Sequence, residues 1–240
     1  MSTTKPEDVR ARAVVMLAAG PGGASSLEAA LRRVGDAGRA RVGPDGSIRV
    51  GLRHRDDPLA AAMGERGALE PVDGVIELTG GAGVGTADAV GFVDGIVAEL
   101  GDAVDGSRSA VIVGRAHRFL AGDGALFVAL AGVRDPAITT EELSVWWLGH
   151  HGPLALALVD PLPRAYEQLH ADHAASAAAA ERAGVPPRRY DMYATISVDS
   201  MSDLVGALMG AEVGATLFED ELGHVDHGRV RGALQRLLVA

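Results

Sequence analysis

Two stretches of this chain follow one pattern. In Val72-Asp-Gly-Val-Ile-Glu-Leu78, and again in Tyr190-Asp-Met-Tyr-Ala-Thr-Ile196, an aspartate stands just before an alternating apolar run. Alternation of this kind marks a β-strand with one face buried. The elements around each stretch recur in the same order. In the first half, residues 12–19 read as a buried strand. Ser25 or Ser26 caps a helix with Leu27, Ala30, Leu31 and Val34 on its apolar stripe. Residues 48–52 and 72–78 read as strands, 56–70 as a short helix or loop, 87–100 as a helix and 110–115 as a strand. In the second half, residues 126–132 read as a strand, 141–159 as a helix and 164–170 as extended chain. Residues 174–183 are alanine-rich, a helix or a loosely ordered excursion. Residues 190–198 read as a strand, 202–209 as a helix and 230–239 as a last extended element. Both halves thus read β-α-β-β-α-β, the ferredoxin-like plan of an α+β fold. We expect an internal duplication, with one repeat over residues 10–122 and the other over 123–240. A sheet covered on one face leaves its other face needing a partner, which the two halves can supply to each other.

With 240 residues and 48% hydrophobic content, the chain can bury a sizeable core. Its net charge of -10 argues against nucleic acid or an anionic membrane as a partner. The absence of cysteine removes disulfides, thiolate metal sites and thiol nucleophiles, and it fits a reducing cytosol. Residues 1–12 lack the apolar stretch of a signal peptide, and no run approaches the ~20 apolar residues of a membrane helix. A cytoplasmic protein is expected. Glycine clusters carry little weight among 32 glycines. The run at residues 80–85 misses the G-x-G-x-x-G spacing, and Gly20-Pro-Gly-Gly23 lacks the Gly-Lys-Ser/Thr of a phosphate loop.

Chemistry concentrates on the helix at 141–159. Thr139 and Glu142 have capping-box spacing, and Pro153 removes a backbone donor, so a bend or weakened turn is expected near Gly149. Helical spacing puts Leu143, Trp147, His151 and Leu154 on one face, and Trp146 and His150 on an adjoining stripe. An imidazole on a buried face needs a partner, since an unpaired buried polar group costs about 1–3 kcal/mol. His151 is therefore a candidate general acid or base, its apolar neighbours favouring the neutral form. The competing reading is a core histidine satisfied by a backbone carbonyl. His150 reads as a surface or interface residue and His173 as solvent-exposed. Tyr166, Gln168 and His170 point the same way on a strand. They read either as a pocket wall, with Tyr166 and His170 binding a phenol or enolate oxygen, or as ordinary polar positions of a half-buried strand. His224, Asp226 and His227, near Asp220 and Glu221, invite a metal reading but lack a supporting helical pattern.

Taken together, several of these features resemble the EthD family of the dimeric α/β-barrel superfamily. They are Trp147-x-x-x-His151-x-Pro153-Leu154, Tyr166-x-Gln168-x-His170, Tyr190-Asp191 leading a strand, Asp220-Glu221 and Val225-Asp226. The resemblance covers residues 124–240. The N-terminal half lacks the Trp/His helix and looks like a degenerate repeat. What the resemblance implies is two ferredoxin-like repeats packed within one chain as that family's dimers pack, into an α/β-barrel. It implies no metal or other cofactor, catalytic roles for His151, Tyr166 and His170, and a substrate lined by Trp147, Leu154, Gln168 and Tyr193. Asp220, Glu221 and Asp226 are expected to position the last turn or strand. The expected function is acid–base chemistry (decarboxylation, cyclisation or oxygenation) on an aromatic or polyketide-like molecule, of lyase or oxidoreductase type. The alternative is a non-catalytic ligand-binding or accessory protein. The expected partner is a small-molecule substrate, and further self-association stays open.

Overall fold

In the first half, alternating apolar residues form β1 (Asp8–Ala19), β2 (Ser47–Arg53), β4 (Gly74–Thr79) and β5 (Val104–Leu120). A two-residue strand, β3 (Glu70–Pro71), lies between β2 and β4 in sequence. In the second half the same pattern gives β6 (Leu126–Gly132), β7 (Ala165–Ala171), β8 (Met192–Val198) and β9 (Arg231–Val239). The computed structural model describes residues 6, 8–59, 70–160, 162–208 and 210–240. Most of the 56–70 stretch, read above as helix or loop, lies outside the described residues.

The strand order is β2-β4-β1-β5-β7-β8-β6-β9, and β9 pairs back onto β2. Eight antiparallel strands therefore close into a barrel, with β3 added in parallel at β9. Each half contributes the same permutation: β2-β4-β1-β5 matches β7-β8-β6-β9. One seam joins β5 to β7, from Gly114 opposite Ala171 to Leu120 opposite Tyr166. The other joins β2 to β9. At the first seam, a side chain at Gly114 would put its Cβ 2.0 Å from the His170 carbonyl oxygen. Among the described residues, closure pairs the two outer strands of the ring with each other, β2 with β9, which removes the usual aggregation template.

The aspartates of the repeated stretch do the same work twice. Asp73 N–H donates to Leu17 O, and its carboxylate accepts from Ala19 N–H at the end of β1. Asp191 N–H donates to Gly132 O, and its carboxylate accepts from Arg134 N–H just beyond β6. Each ties the start of a strand to the end of the first strand of its own repeat. Asp191 also lies 3.0 Å from His173 Nε2, so His173, read as solvent-exposed, is half-buried beside a buried carboxylate.

Helices cover the outside. α1 (Gly23–Val42) buries Leu27, Ala30, Leu31 and Val34 as the stripe predicts. The expected helix at 87–100 is broken into α2 (Thr86–Ala89), a 3-10 turn at Val90–Val93 and α3 (Ile96–Leu100). Gly95, with φ at +64°, ends the turn in the left-handed region that glycine adopts without strain. The strand expected at 110–115 is also much longer. In the second half, α4 (Thr140–Trp146), a π-turn (Trp147–His151) and α5 (Gly152–Leu158) precede β7. α6 (His173–Ala183) is inserted between β7 and β8 and crosses to the first half, where Ala175, Ala179 and Ala183 join the core cluster of Val111 and Val113. α7 (Met201–Leu208) and α8 (Ala211–Glu221) precede β9. Among the described residues, no helix is long and apolar enough to cross a membrane.

The barrel interior is apolar along much of its length, with Val14, Met16, Ile112, Phe127 and Leu169 in one cluster. It also holds a buried polar layer. Arg12 donates to both oxygens of Glu167 at 2.9 Å. Arg49 bonds Glu77 at 2.7 Å and Thr195 at 2.9 Å. Tyr193 O–H donates to Glu77 at 2.6 Å. Burial alone would raise the Glu167 carboxyl, but the guanidinium of Arg12, helped by Arg49 and Arg118, holds it well below the usual carboxylate range. Tyr193, expected to line the substrate, lies on the interior face of the sheet, where burial and Glu77 push its phenol well up.

Candidate active site

The helix over β7 starts at the expected cap. Glu142 N–H donates to Thr139 Oγ1 at 3.1 Å, and Thr139 N–H donates to Glu142 Oε2 at 2.7 Å. The expected irregularity near Gly149 takes the form of a π-turn. Pro153 has no N–H to offer the Gly149 carbonyl, and Gly152 N–H closes the wider ring onto Trp147 O. This changes the faces predicted by α-helical spacing. In a π-turn residues five apart share a side, so His151 lies against Trp146, with ring centroids 4.9 Å apart. Trp147 instead faces His170 at 4.8 Å. Leu154 is half-buried and lies outside the apolar cluster of Leu143, Trp147, Met192 and Val225.

The strand below supplies the triplet on one face. Gln168 Nε2 donates to Trp147 O at 3.1 Å and to Tyr166 Oη at 2.6 Å. One amide thus ties the π-turn to the sheet. Gly152 permits this approach: a Cβ there would sit 2.7 Å from Phe119 Cζ and 2.9 Å from Gln168 Nε2. Tyr166 stacks on Phe119 at 5.3 Å. Burial raises its phenol, and Glu221 adds to this against the Gln168 hydrogen bond, so Tyr166 keeps its proton. His170 Nδ1 and Ser144 Oγ are hydrogen-bonded at 2.9 Å. Burial, aided by His117, lowers His170 to about 3 and keeps it neutral.

His151 is 8% exposed, and its partner comes from α8. Its Nδ1 lies 2.8 Å from Asp220 Oδ2, and its Nε2 lies 3.8 Å from Glu221 Oε1. The other Asp220 oxygen lies 2.8 Å from His150 Nε2, so His150 is exposed as expected yet shares the carboxylate. Burial lowers the His151 pKa, and the bond and charge of Asp220 oppose that shift. Above the pair, His224 stacks on Trp146 at 4.1 Å and 7°. Asp220 and Glu221 end α8; the Glu221 carbonyl accepts from His224 and Val225 N–H in the turn that follows, and the Asp226 carboxylate accepts from Gly228 N–H just before β9. Sequence reading missed α8. Val213, Leu217 and Phe218 were the available signal, interrupted by Gly214.

The structure therefore gathers His151, Trp146, Asp220 and Glu221 on one side of Gln168 and Tyr166, and Trp147 with His170 on the other. Four buried polar atoms of this region have no hydrogen-bond partner among the described residues: Trp146 Nε1, Gln168 Oε1, His170 Nε2 and His224 Nδ1. Buried polar atoms are rarely left unpaired, so such a group marks a place where water or a ligand binds. No group of three or more metal-ligating side chains is assembled among the described residues.

Residues 135–228 match the family model described as EthD domain. No protein of curated function matches the chain in sequence. Solved structures of the same fold include an anthrone oxidase-like protein, with a TM-score of 0.59 and 11% identity, covering 97% of this chain and 92% of that one. A dye-decolorizing peroxidase from Bacteroides thetaiotaomicron has a TM-score of 0.51 and 10% identity, over 98% and 93%. A variant chlorite dismutase from Candidatus Nitrospira defluvii has 0.50 and 10%, over 95% and 90%. These likenesses establish the fold as that of the dimeric α/β-barrels, here closed within one chain.

Proposed function

We propose that the protein, whose residues 135–228 match the EthD domain model within a one-chain α/β-barrel, is a small-molecule enzyme using His151 as its general base. We also propose that the two repeats join at residues 122/123. The observation carrying the reading is the 2.8 Å bond between His151 Nδ1 and Asp220, beside four unpartnered polar atoms. A carboxylate only accepts, so the shared proton sits on Nδ1 and Nε2 keeps its lone pair. At 3.8 Å, Glu221 is beyond hydrogen-bond distance of Nε2. A substrate C–H or O–H placed there gives its proton to Nε2, Asp220 stabilises the imidazolium, and the proton returns to product.

The surrounding groups suit an aromatic or polyketide-like substrate. Trp146 and Trp147 offer flat apolar surface, and the unpartnered Trp146 N–H and the protonated Tyr166 are donors for an enolate or phenolate oxygen. His170, neutral behind Trp147, lines the other side. Cyclisation and oxygenation by O2 begin from such an anion, whereas decarboxylation forms one as CO2 leaves, to be protonated by the His151 imidazolium. A panel of hydroxylated aromatic acids and anthrone-type compounds, followed for CO2 release, ring closure and O2 uptake, tests the reading. Wild type should turn over at least one class, and His151→Ala should lose about 10²–10⁴ in kcat/KM. Equal turnover by the variant removes His151 from the chemistry.

A binding or accessory role is the second reading. It is favoured by the broken helix over the first half, which carries no counterpart of the Trp/His segment. Saturable binding without turnover, unchanged in His151→Ala, would select it.

A further inference from the structure

Gln168 is wholly buried, and its side-chain amide makes both of its hydrogen bonds through the nitrogen, to the Trp147 carbonyl at 3.1 Å and to Tyr166 Oη at 2.6 Å. The carbonyl decides which way the amide is turned. A carbonyl oxygen only accepts, so the amide atom facing it is the NH2 group. The reverse turn would set two acceptors against each other. That carbonyl is itself fixed, since it also takes the Gly152 N–H that closes the π-turn. The orientation is kept at a cost, because Gln168 Oε1 has no hydrogen-bond partner among the described residues, and burying an unpaired acceptor is unfavourable.

The same amide then decides the state of the phenol. An NH2 nitrogen has no lone pair to offer, so Tyr166 accepts from it. The phenolic hydrogen is thereby turned away from Gln168, toward another acceptor. Packing keeps the two side chains in this relation. Phe119 stacks on the Tyr166 ring at 5.3 Å, and the Gly152 backbone lies so close to Gln168 Nε2 that a Cβ there would come within 2.9 Å of it. Glu221 is near enough to act on the Tyr166 phenol, and its Oε1 lies 3.8 Å from His151 Nε2, so the hydroxyl and the imidazole share a neighbour.

We propose that Gln168 is a positioning residue for the reaction: it holds the Tyr166 hydroxyl as an acceptor on one side, so that the phenolic hydrogen is presented to the substrate oxyanion on the other. This rests on the reading of Tyr166 as an oxyanion donor. A donor aimed before charge develops needs no reorganisation at the moment of reaction, which is where such groups gain their effect. Gln168 touches no reacting atom in this role. It acts through Tyr166, and the Trp147 carbonyl acts through Gln168.

The tyrosine Fermi doublet in the Raman spectrum separates a phenol that accepts a hydrogen bond from one that donates, and it needs no substrate. The chain has three tyrosines, so the Tyr166 signal is the difference between wild type and Tyr166→Phe. Wild type should lie on the acceptor side. The intensity ratio should fall in Gln168→Met, which is uncharged and of similar length, and fall further in Gln168→Glu, whose carboxylate only accepts and so turns the phenol into a donor. The methionine variant keeps the test open if a buried glutamate prevents folding. On a substrate found with the aromatic panel, Gln168→Met should lower kcat by about 10²–10³, the loss seen when one oxyanion donor is removed, with little change in KM. A donor-type doublet in wild type, or a ratio unmoved by either substitution, overturns the proposal. Full turnover by Tyr166→Phe overturns it by another route, through the reading of Tyr166 as a donor, while the doublet still reports the hold of the amide on the phenol.

Discussion

Asp220 Oδ2 accepts from His151 Nδ1 across 2.8 Å, joining the π-turn to the last turn of α8, 69 positions further along the chain. The carboxylate sits where the helix dipole is negative, so an imidazolium formed at His151 gains from both. Burial acts the other way and keeps the resting ring neutral. The pair is balanced to take up a proton and release it.

Asp220→Asn removes the interaction that holds the His151 proton affinity up against burial. The acidic limb of kcat/KM against pH, already below the ordinary histidine value of about 6.5, should move to still lower pH. The plateau should fall by about 10²–10⁴, as when a histidine loses the carboxylate that fixes its tautomer. A pH–rate profile measures both. An unmoved limb would detach Asp220 from the titrating group.

His170 makes stability depend on pH. In the unfolded chain it titrates near 6.5, whereas in the fold its pKa is lowered to about 3. Between those values the unfolded state binds more protons. The contribution is therefore full above about pH 6.5 and is lost as pH falls toward 3, with a slope of at most about 1.4 kcal/mol per pH unit. Urea unfolding from pH 7 to 4 should show a steeper loss for wild type than for His170→Asn. Parallel curves would contradict the assignment.

Glu167→Gln strips the barrel interior of a charge that Arg12 holds at two points and Arg49 and Arg118 approach. Leaving a buried guanidinium without its counter-charge costs about 3–5 kcal/mol. The denaturation midpoint should fall accordingly, while an exposed pair such as Arg32–Glu28 should cost under about 1 kcal/mol when broken.

Gly152→Ala sets two effects against each other. Alanine gains about 1 kcal/mol of helix propensity over glycine. Its Cβ would meet Phe119 and Gln168 at 2.7 and 2.9 Å, contacts that cost about 1–3 kcal/mol in a packed region. Net destabilisation is expected, together with a rise in KM as the π-turn lifts from Gln168. Thermal melts and steady-state kinetics read the two outcomes separately.

Where local pattern and environment agreed, the sequence was legible. β6 spans the residues its apolar run marks, the Thr139 cap forms, and the paired aspartates at 73 and 191 do identify equivalent corners of the two repeats. Three features escaped. Glu77, Glu167 and Arg12 occupy alternate strand positions that normally face water, and only closure of the ring turns that side inward. The π-turn moves His151 from the Trp147 side to Trp146, a shift set by one missing N–H at Pro153. Asp220 meets His151 only through tertiary packing, which no local spacing encodes.

The two seams, β5 with β7 and β9 with β2, also decide how the molecule responds to dilution. A ring assembled from separate subunits comes apart as concentration falls, because each encounter must be repurchased from solution. Here the connection between β5 and β6 keeps the second half tethered beside the first, so ring closure is unimolecular and independent of how much protein is present.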